Sequence, residues 1–393
     1  MFSRRTEWEL SPNALTRALA SRRAAGGSVV DLTITNPTEV GLRHPPSLFA
    51  GLVDPAAASY EPEPLGLIRA REAVAAYYRE RGGACDPAAV FLCASTSEAF
   101  GWLLALACDP GDAVLVPRPG YPLLDYLAAL SGVRLVPYPL CFDGSWHIDL
   151  AALRELVRAE ARVRAVIATS PGNPTGAVLE RAELAALEAL CAERELALVV
   201  DEVFLDYPLG AERAPLRSAF GPRECLSFVL SGVSKVALLP QWKLSWGVAC
   251  GPAALVTRAL ERLTLIADTF LSVSTPAQLA LPRILAAAPE SQAQVRSRTN
   301  ANLAALTRAL AGGGASALAG AGGWAAVVRL PELGGLNDEA WALELLEDAG
   351  VLVHPGSLYD LDGSHCVVSL LSQPGPFAAG ATALAAAVAR RLA

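Results

Sequence analysis

Between residues 98 and 266, short runs of unbroken apolar residues alternate with stretches of helical periodicity. The apolar runs lie at 113–116, 134–138, 165–169, 197–200, 226–230 and 246–251, and the helical stretches at 98–108, 150–159, 181–194 and 252–266. A strand that is apolar on every residue is buried on both faces, and helices between such strands supply the cover. The rhythm therefore predicts an α/β fold with a mostly parallel sheet flanked by helices. After about residue 270 the pattern changes. A helical stretch runs from 276 past 308, with a break expected near Pro289. A Gly/Ala-rich turn at 312–323 follows, then a strand at 324–330, a helix at 337–349, strands at 351–354 and 366–371, and a terminal helix. The expected division is a large domain over 46–270, with 1–45 and 271–393 forming an N-terminal arm and a smaller α+β domain.

Composition narrows the function. The longest apolar run, 100–108, is far shorter than the roughly 18 residues of a membrane span. Residues 1–7 carry no apolar signal core, so a cytoplasmic protein is expected. A net charge of −7 with no basic stripe argues against nucleic acid and against an anionic membrane surface. Eight scattered cysteines form no C-x-x-C pair, and the four histidines share no metal-ligand spacing. The Gly/Ala-rich turn holds no nucleotide-binding glycine motif between a strand and a helix.

The lysines are more informative. Of 32 lysine and arginine residues only two are lysines, Lys235 and Lys243. A chain that writes arginine for generic positive charge keeps lysine where a guanidinium fails. An amine can lose its proton and form an imine, which a guanidinium does not do. In open α/β sheets, ligands sit beyond the carboxyl ends of the strands. Asn173, Asp201 and Lys235 each follow an apolar strand, so they can converge on one crevice.

Five motifs occur in order: Ser95-Thr96-Ser97-Glu98-Ala99, Pro119-Gly120-Tyr121-Pro122, Ser170-Pro171-Gly172-Asn173-Pro174-Thr175-Gly176, Asp201-Glu202-Val203-Phe204, and Ser234-Lys235 with Lys243 eight residues on. In this order and spacing the chain resembles the class I/II aminotransferases, from about Asn36 to Ser372. The resemblance implies the fold-type-I architecture of pyridoxal 5′-phosphate (PLP) transferases. It implies that Lys235 holds the cofactor as a Schiff base and shuttles the catalytic proton. Asp201 would pair with the pyridinium nitrogen, which keeps the ring an electron sink. Asn173 would donate to the ring's phenolate oxygen, and Tyr121 would stack on the ring. Thr96, Ser97 and Lys243 would hold the phosphate, although a plain helix cap is the other reading of Thr96 and Ser97. Tyr60 would reach the phosphate of a partner subunit in a homodimer.

Three departures qualify the likeness. Phe204 stands where relatives carry tyrosine, which removes a donor to the phenolate oxygen and predicts a raised pKa for the Lys235 imine. Lys243 replaces an arginine, and Gly232 replaces a serine that often touches the phosphate. Val367 occupies the position of the arginine that grips the substrate α-carboxylate. Either another cation takes that role, with Arg43, just after the loop of Asn36, and Arg329 as candidates, or the substrate presents no carboxylate there; Asn36 and Arg43 are the candidate substrate-binding residues. His354 and Tyr359 fall in a segment that borders the substrate pocket in relatives. The expected activity is transamination between an amine and a keto compound. Decarboxylation, β- or γ-elimination, cyclisation, or an idle PLP-fold module are the alternatives.

Overall fold

The computed structural model describes residues 1–210 and 214–393. An eight-stranded sheet runs in the order Val90–Cys93, Ser245–Cys250, Ser227–Gly232, Ala197–Asp201, Val163–Thr169, Ala113–Arg118, Arg134–Phe142 and Trp146–Ile148. The central pairings from Ser227–Gly232 to Arg134–Phe142 are parallel. Ser245–Cys250 is antiparallel to both its neighbours, as is the edge strand Trp146–Ile148 to its one neighbour. The unbroken apolar runs divide by alternation. Val166, Ala168, Leu198 and Val200 enter one core, while Ala165, Ile167, Ala197 and Val199 enter the core on the other face. Strand order reverses between Val163–Thr169 and Ala113–Arg118, which opens a crevice at the carboxyl ends there. Thr169 lies level with Asp201, and Asp201 with Leu230, so the residues that follow these strands emerge side by side.

A second, four-stranded antiparallel sheet has the order Ser316–Ala317, Ala325–Arg329, His365–Ser369, His354–Pro355. The single strand expected at 351–354 is instead two. Val351–Leu352 pairs in parallel with Val30–Asp31 of the N-terminal arm, and His354–Pro355 turns to pair with Cys366 and Val367. Two partners in different sheets pull one apolar run apart.

The break expected near Pro289 does not occur. Thr275–Leu310 is one helix of 36 residues with Pro282 and Pro289 inside it. Interior proline costs roughly 3 kcal/mol. Against that, Ala277, Ala280, Leu281, Ile284 and Ala288 pack in the core of the large sheet, and Leu306 and Leu310 in that of the small sheet. A buried Leu or Ile contributes about 1.5–3 kcal/mol, so packing outweighs the two prolines. The buried Asn302 donates at 2.8 Å to the carbonyls of Leu370 and Ser372, which ties the helix to the end of the small sheet. Among the described residues, no helix is long and apolar enough to cross a membrane.

Candidate active site

Lys235 lies in a single helical turn, Val233–Val236, which starts directly after the strand Ser227–Gly232. The loop that its Gly and Ser neighbours suggest is absent because the backbone is fastened at several points. Val233 N–H donates to Leu244 O at 3.0 Å, and Ala237 N–H to Val233 O at 3.1 Å. The Tyr207 hydroxyl donates to Lys235 O, and Gln292 to Val236 O at 2.8 Å. The amine itself makes no hydrogen bond to described residues. Its Nζ stands 4.7 Å from the ring centroid of Trp324 and 5.5 Å from that of Phe204. Desolvation disfavours the charged amine and lowers its pKa to about 8, with Asp201 opposing the shift. About half the amine is then neutral at pH 8, against about 0.3% for an ordinary lysine.

Asp201 ends the neighbouring strand. Its carboxyl accepts one N–H, from Val203 at 2.9 Å. Burial pushes it up to about 6, opposed first by that hydrogen bond and then by Lys235. It therefore stays ionised at neutral pH with lone pairs to spare. Glu202 next to it is spent on structure: it accepts from Ser218 Oγ at 2.7 Å and from Ala219 N–H, in a site whose burial raises it to about 8.

The other expected residues divide into two groups. Asn173 sits in the loop after Val163–Thr169, and its carboxamide makes no hydrogen bond to described residues. This loop is pressed against the Gly/Ala-rich turn, with Ala321 N–H donating to Gly176 O at 2.8 Å. Gly176 is at φ 67°, and a Cβ there would come 2.8 Å from Gly322 O, so glycine is required. Thr96 and Ser97 open the helix Thr96–Ala107, but Ser95 is its cap and accepts from Glu98 N–H at 3.1 Å. Glu98 reaches back to Ala94 N–H at 2.6 Å. The Thr96 and Ser97 hydroxyls are thus left at the helix N-terminus without partners among the described residues. Tyr121 is half exposed after Ala113–Arg118, and Gly120 N–H donates to Tyr359 O at 3.0 Å, which brings the small sheet's Gly356–Tyr359 turn to the crevice.

The second group is less committed to the crevice. Lys243 is exposed at φ 49°, and Tyr60 is 75% exposed. The Asn36 carboxamide is used locally: it donates to Glu39 Oε1 at 2.8 Å and accepts from Thr38 N–H at 3.1 Å and Thr38 Oγ1 at 2.8 Å. Arg43 is exposed, its backbone clasped by Gln294 at 3.0 and 2.8 Å. Val367 is 2% exposed among Leu318, Val327, Tyr359 and Leu361, with Phe142 and Trp146 packed against them. Arg329 is exposed on the same sheet face, two residues beyond Val327, with its guanidinium 6.0 Å from the Phe142 ring centroid. His354 Nδ1 and Tyr359 Oη are 2.9 Å apart.

Sequence reading missed Trp324 and Tyr207. Their rings pack edge-on, 5.1 Å apart, and Trp324 also meets Phe204 at 5.2 Å. The only signal for Tyr207 was its place three residues after Phe204, and for Trp324 its place at the end of the Gly/Ala-rich turn.

The family model for aminotransferase class I and II matches residues 57–367. The chain belongs to this family. Bovine tyrosine aminotransferase is 27% identical over 305 residues, 73% of this chain and 67% of that protein. The alanine aminotransferase of Mycobacterium tuberculosis is 30% identical over 268 residues, 67% of this chain and 61% of that protein. The chain thus spans about two thirds of the length of these curated relatives. A Pyrococcus furiosus alanine aminotransferase structure superposes with a TM-score of 0.89 over 100% of both chains at 22% identity, a likeness of fold. Class I and II aminotransferases are PLP enzymes of fold type I, and PLP is the cofactor of this one.

The residues present fit it. The crevice offers a desolvated amine, a partly buried carboxylate with spare acceptors and, at a helix start, hydroxyl donors that have no partner among the described residues. The enclosed Trp324 indole N–H also lacks a partner among the described residues. Phe204 packs on Trp324 and offers no polar atom, so the expected deficit of a donor at the cofactor's ring oxygen stands as a testable point. In Phe204→Tyr, the pKa read from the visible spectrum of the PLP-loaded protein should fall by about one unit, because the new hydroxyl stabilises the anionic oxygen. A spectral titration with no shift or an upward one would contradict this.

Proposed function

We propose that this aminotransferase exchanges an amino group between an amino acid or related amine and a keto compound, with Lys235 as its catalytic amine. The observation that carries the reading is an amine and a carboxylate brought to adjoining strand ends, Lys235 Nζ without a hydrogen bond to described residues and Asp201 accepting a single N–H. Desolvation brings the amine down and the carboxyl up, toward the range in which proton transfer near neutral pH is effective. When bound, PLP supplies an aldehyde that condenses with amines and a ring that draws electrons from the substrate Cα. With the cofactor in place, Lys235 Nζ would take the proton from the substrate Cα and hold it for return. Asp201 holds a proton on the ring nitrogen. Asn173 donates to the ring oxygen, and Tyr121 covers the ring face. Thr96, Ser97 and Lys243 hold the phosphate. Residues 46–270 form the cofactor domain, and 1–45 with 271–393 the N-terminal arm and smaller domain. Tyr60, largely exposed, is the residue offered to a partner subunit of a homodimer.

Val367 and its apolar neighbours favour a second reading. With no arginine at that position, the bond held perpendicular to the ring is set by other contacts, and decarboxylation or elimination become accessible to the same residues. A single-turnover test separates the two. Mixing PLP-loaded protein with an amino-acid panel should convert the cofactor to its pyridoxamine form with release of the keto product. Carbon dioxide or an unsaturated product without that form would replace transamination by a lyase.

A further inference from the structure

Gly232 and Ser245 face each other across the antiparallel pair at the start of the Lys235 turn. Gly232 is at φ −178°, an extended conformation open to any residue, so backbone geometry does not demand glycine there. Space does. A Cβ built on Gly232 would overlap the Ser245 hydroxyl and lie 2.8 Å from Ser245 Cβ and 3.1 Å from its Cα. The Ser245 side chain therefore fills the volume that a side chain at 232 would occupy. Ser245 is 2% exposed, and its hydroxyl makes no hydrogen bond to described residues. Unlike the enclosed Ser231 hydroxyl, the Ser245 hydroxyl is not sealed from solvent, so a ligand can reach it and supply the partner it lacks. Lys243, two residues away, sits in the left-handed region at φ 49°.

We propose that Ser245 is a phosphate-binding residue of the cofactor site, its hydroxyl delivered from the neighbouring strand into the place that a serine at 232 would take. Glycine at 232 is the complement that makes room for it. The inference rests on the cofactor reading above. It adds a donor to the phosphate and explains why the chain tolerates glycine beside its catalytic turn.

Equilibrium binding of PLP and of phosphate-free pyridoxal, read by absorbance on the refolding-competent apoprotein, tests it. Ser245→Ala should weaken PLP binding roughly tenfold, the effect of losing one hydrogen bond to a charged group, and leave pyridoxal within about twofold. Gly232→Ser alone should lose affinity for both through the clash. The double change Gly232→Ser with Ser245→Gly should recover the preference for PLP over pyridoxal, a result that a merely structural serine would not give. Ser231→Ala, whose hydroxyl is enclosed next to Gly232 without a partner, serves as the control and should leave the PLP-to-pyridoxal ratio unchanged. Equal loss of both ligands in Ser245→Ala, no loss at all, or a double variant without phosphate preference would each overturn the proposal. If the unaltered protein binds neither ligand, the cofactor site itself is refuted instead. A Ser245→Gly variant provides the same comparison should the alanine form fail to fold.

Discussion

Lys235→Arg leaves a folded protein that no longer captures PLP covalently, and its turnover falls by at least roughly 10⁴-fold. Removal of one acid–base group costs roughly 10²–10⁴-fold, and here the same atom is also the nucleophile, so the loss lies at or beyond the upper end. Arginine retains the length and charge of the side chain but cannot be neutral at any usable pH. The variant therefore separates charge from nucleophilicity. In the unaltered apoprotein, capture requires the neutral amine. Desolvation holds its pKa at about 8, so the capture rate should rise with pH through that value and then level off. A rate still climbing above pH 10 would show an ordinary solvated lysine. Stopped-flow absorbance across pH 6–11 makes the measurement, with the range chosen to span both about 8 and the ordinary value of 10.5.

Asp201→Asn gives the second large effect, a fall in turnover of roughly 10²–10⁴-fold with PLP still attached. An amide keeps the shape and one acceptor but cannot hold a proton on the ring nitrogen by charge. The same variant has a signature unconnected with turnover. The Asp201 charge is the influence that raises Lys235 against burial. Without it the amine loses stabilisation of its charged form, and the midpoint of covalent capture should move below about 8. Asp201→Glu should restore part of both effects. Turnover within threefold of the unaltered protein, or a capture midpoint that rises, would remove Asp201 from the role proposed for it.

Much of this arrangement was legible in the residues. The unbroken apolar runs at 165–169 and 197–200 announced strands covered on both faces, and the structure sends alternate residues of each into separate cores. The helix at 150–159 has the same bounds in the structure, Leu150–Ala159. Strand ends pointed to Asn173, Asp201 and Lys235 because their runs were sharply bounded. Other elements carried weaker signals. The strand Val90–Cys93 is four residues long and pairs only with the strand Ser245–Cys250, far away in sequence. Trp146–Ile148 has three residues and one partner. Pro289 misled because local propensity for a break is overruled by packing along a helix shared by two cores. Trp324 and Tyr207 were invisible for a related reason: aromatic residues in apolar surroundings look alike until a fold places one beside the Lys235 amine and the other on its backbone carbonyl. The exchange at 232 and 245 was half visible. The missing serine could be read from sequence, but its replacement lies on another strand.

Borohydride reduction of the PLP-loaded protein, followed by peptide mass mapping, addresses the central claim most directly. The chain offers few primary amines, Lys235, Lys243 and the N-terminus, so the site of the adduct is unambiguous. The predicted result is one reduced cofactor per chain on the peptide containing Lys235. An adduct on Lys243 or the N-terminus, or none at all, would contradict it.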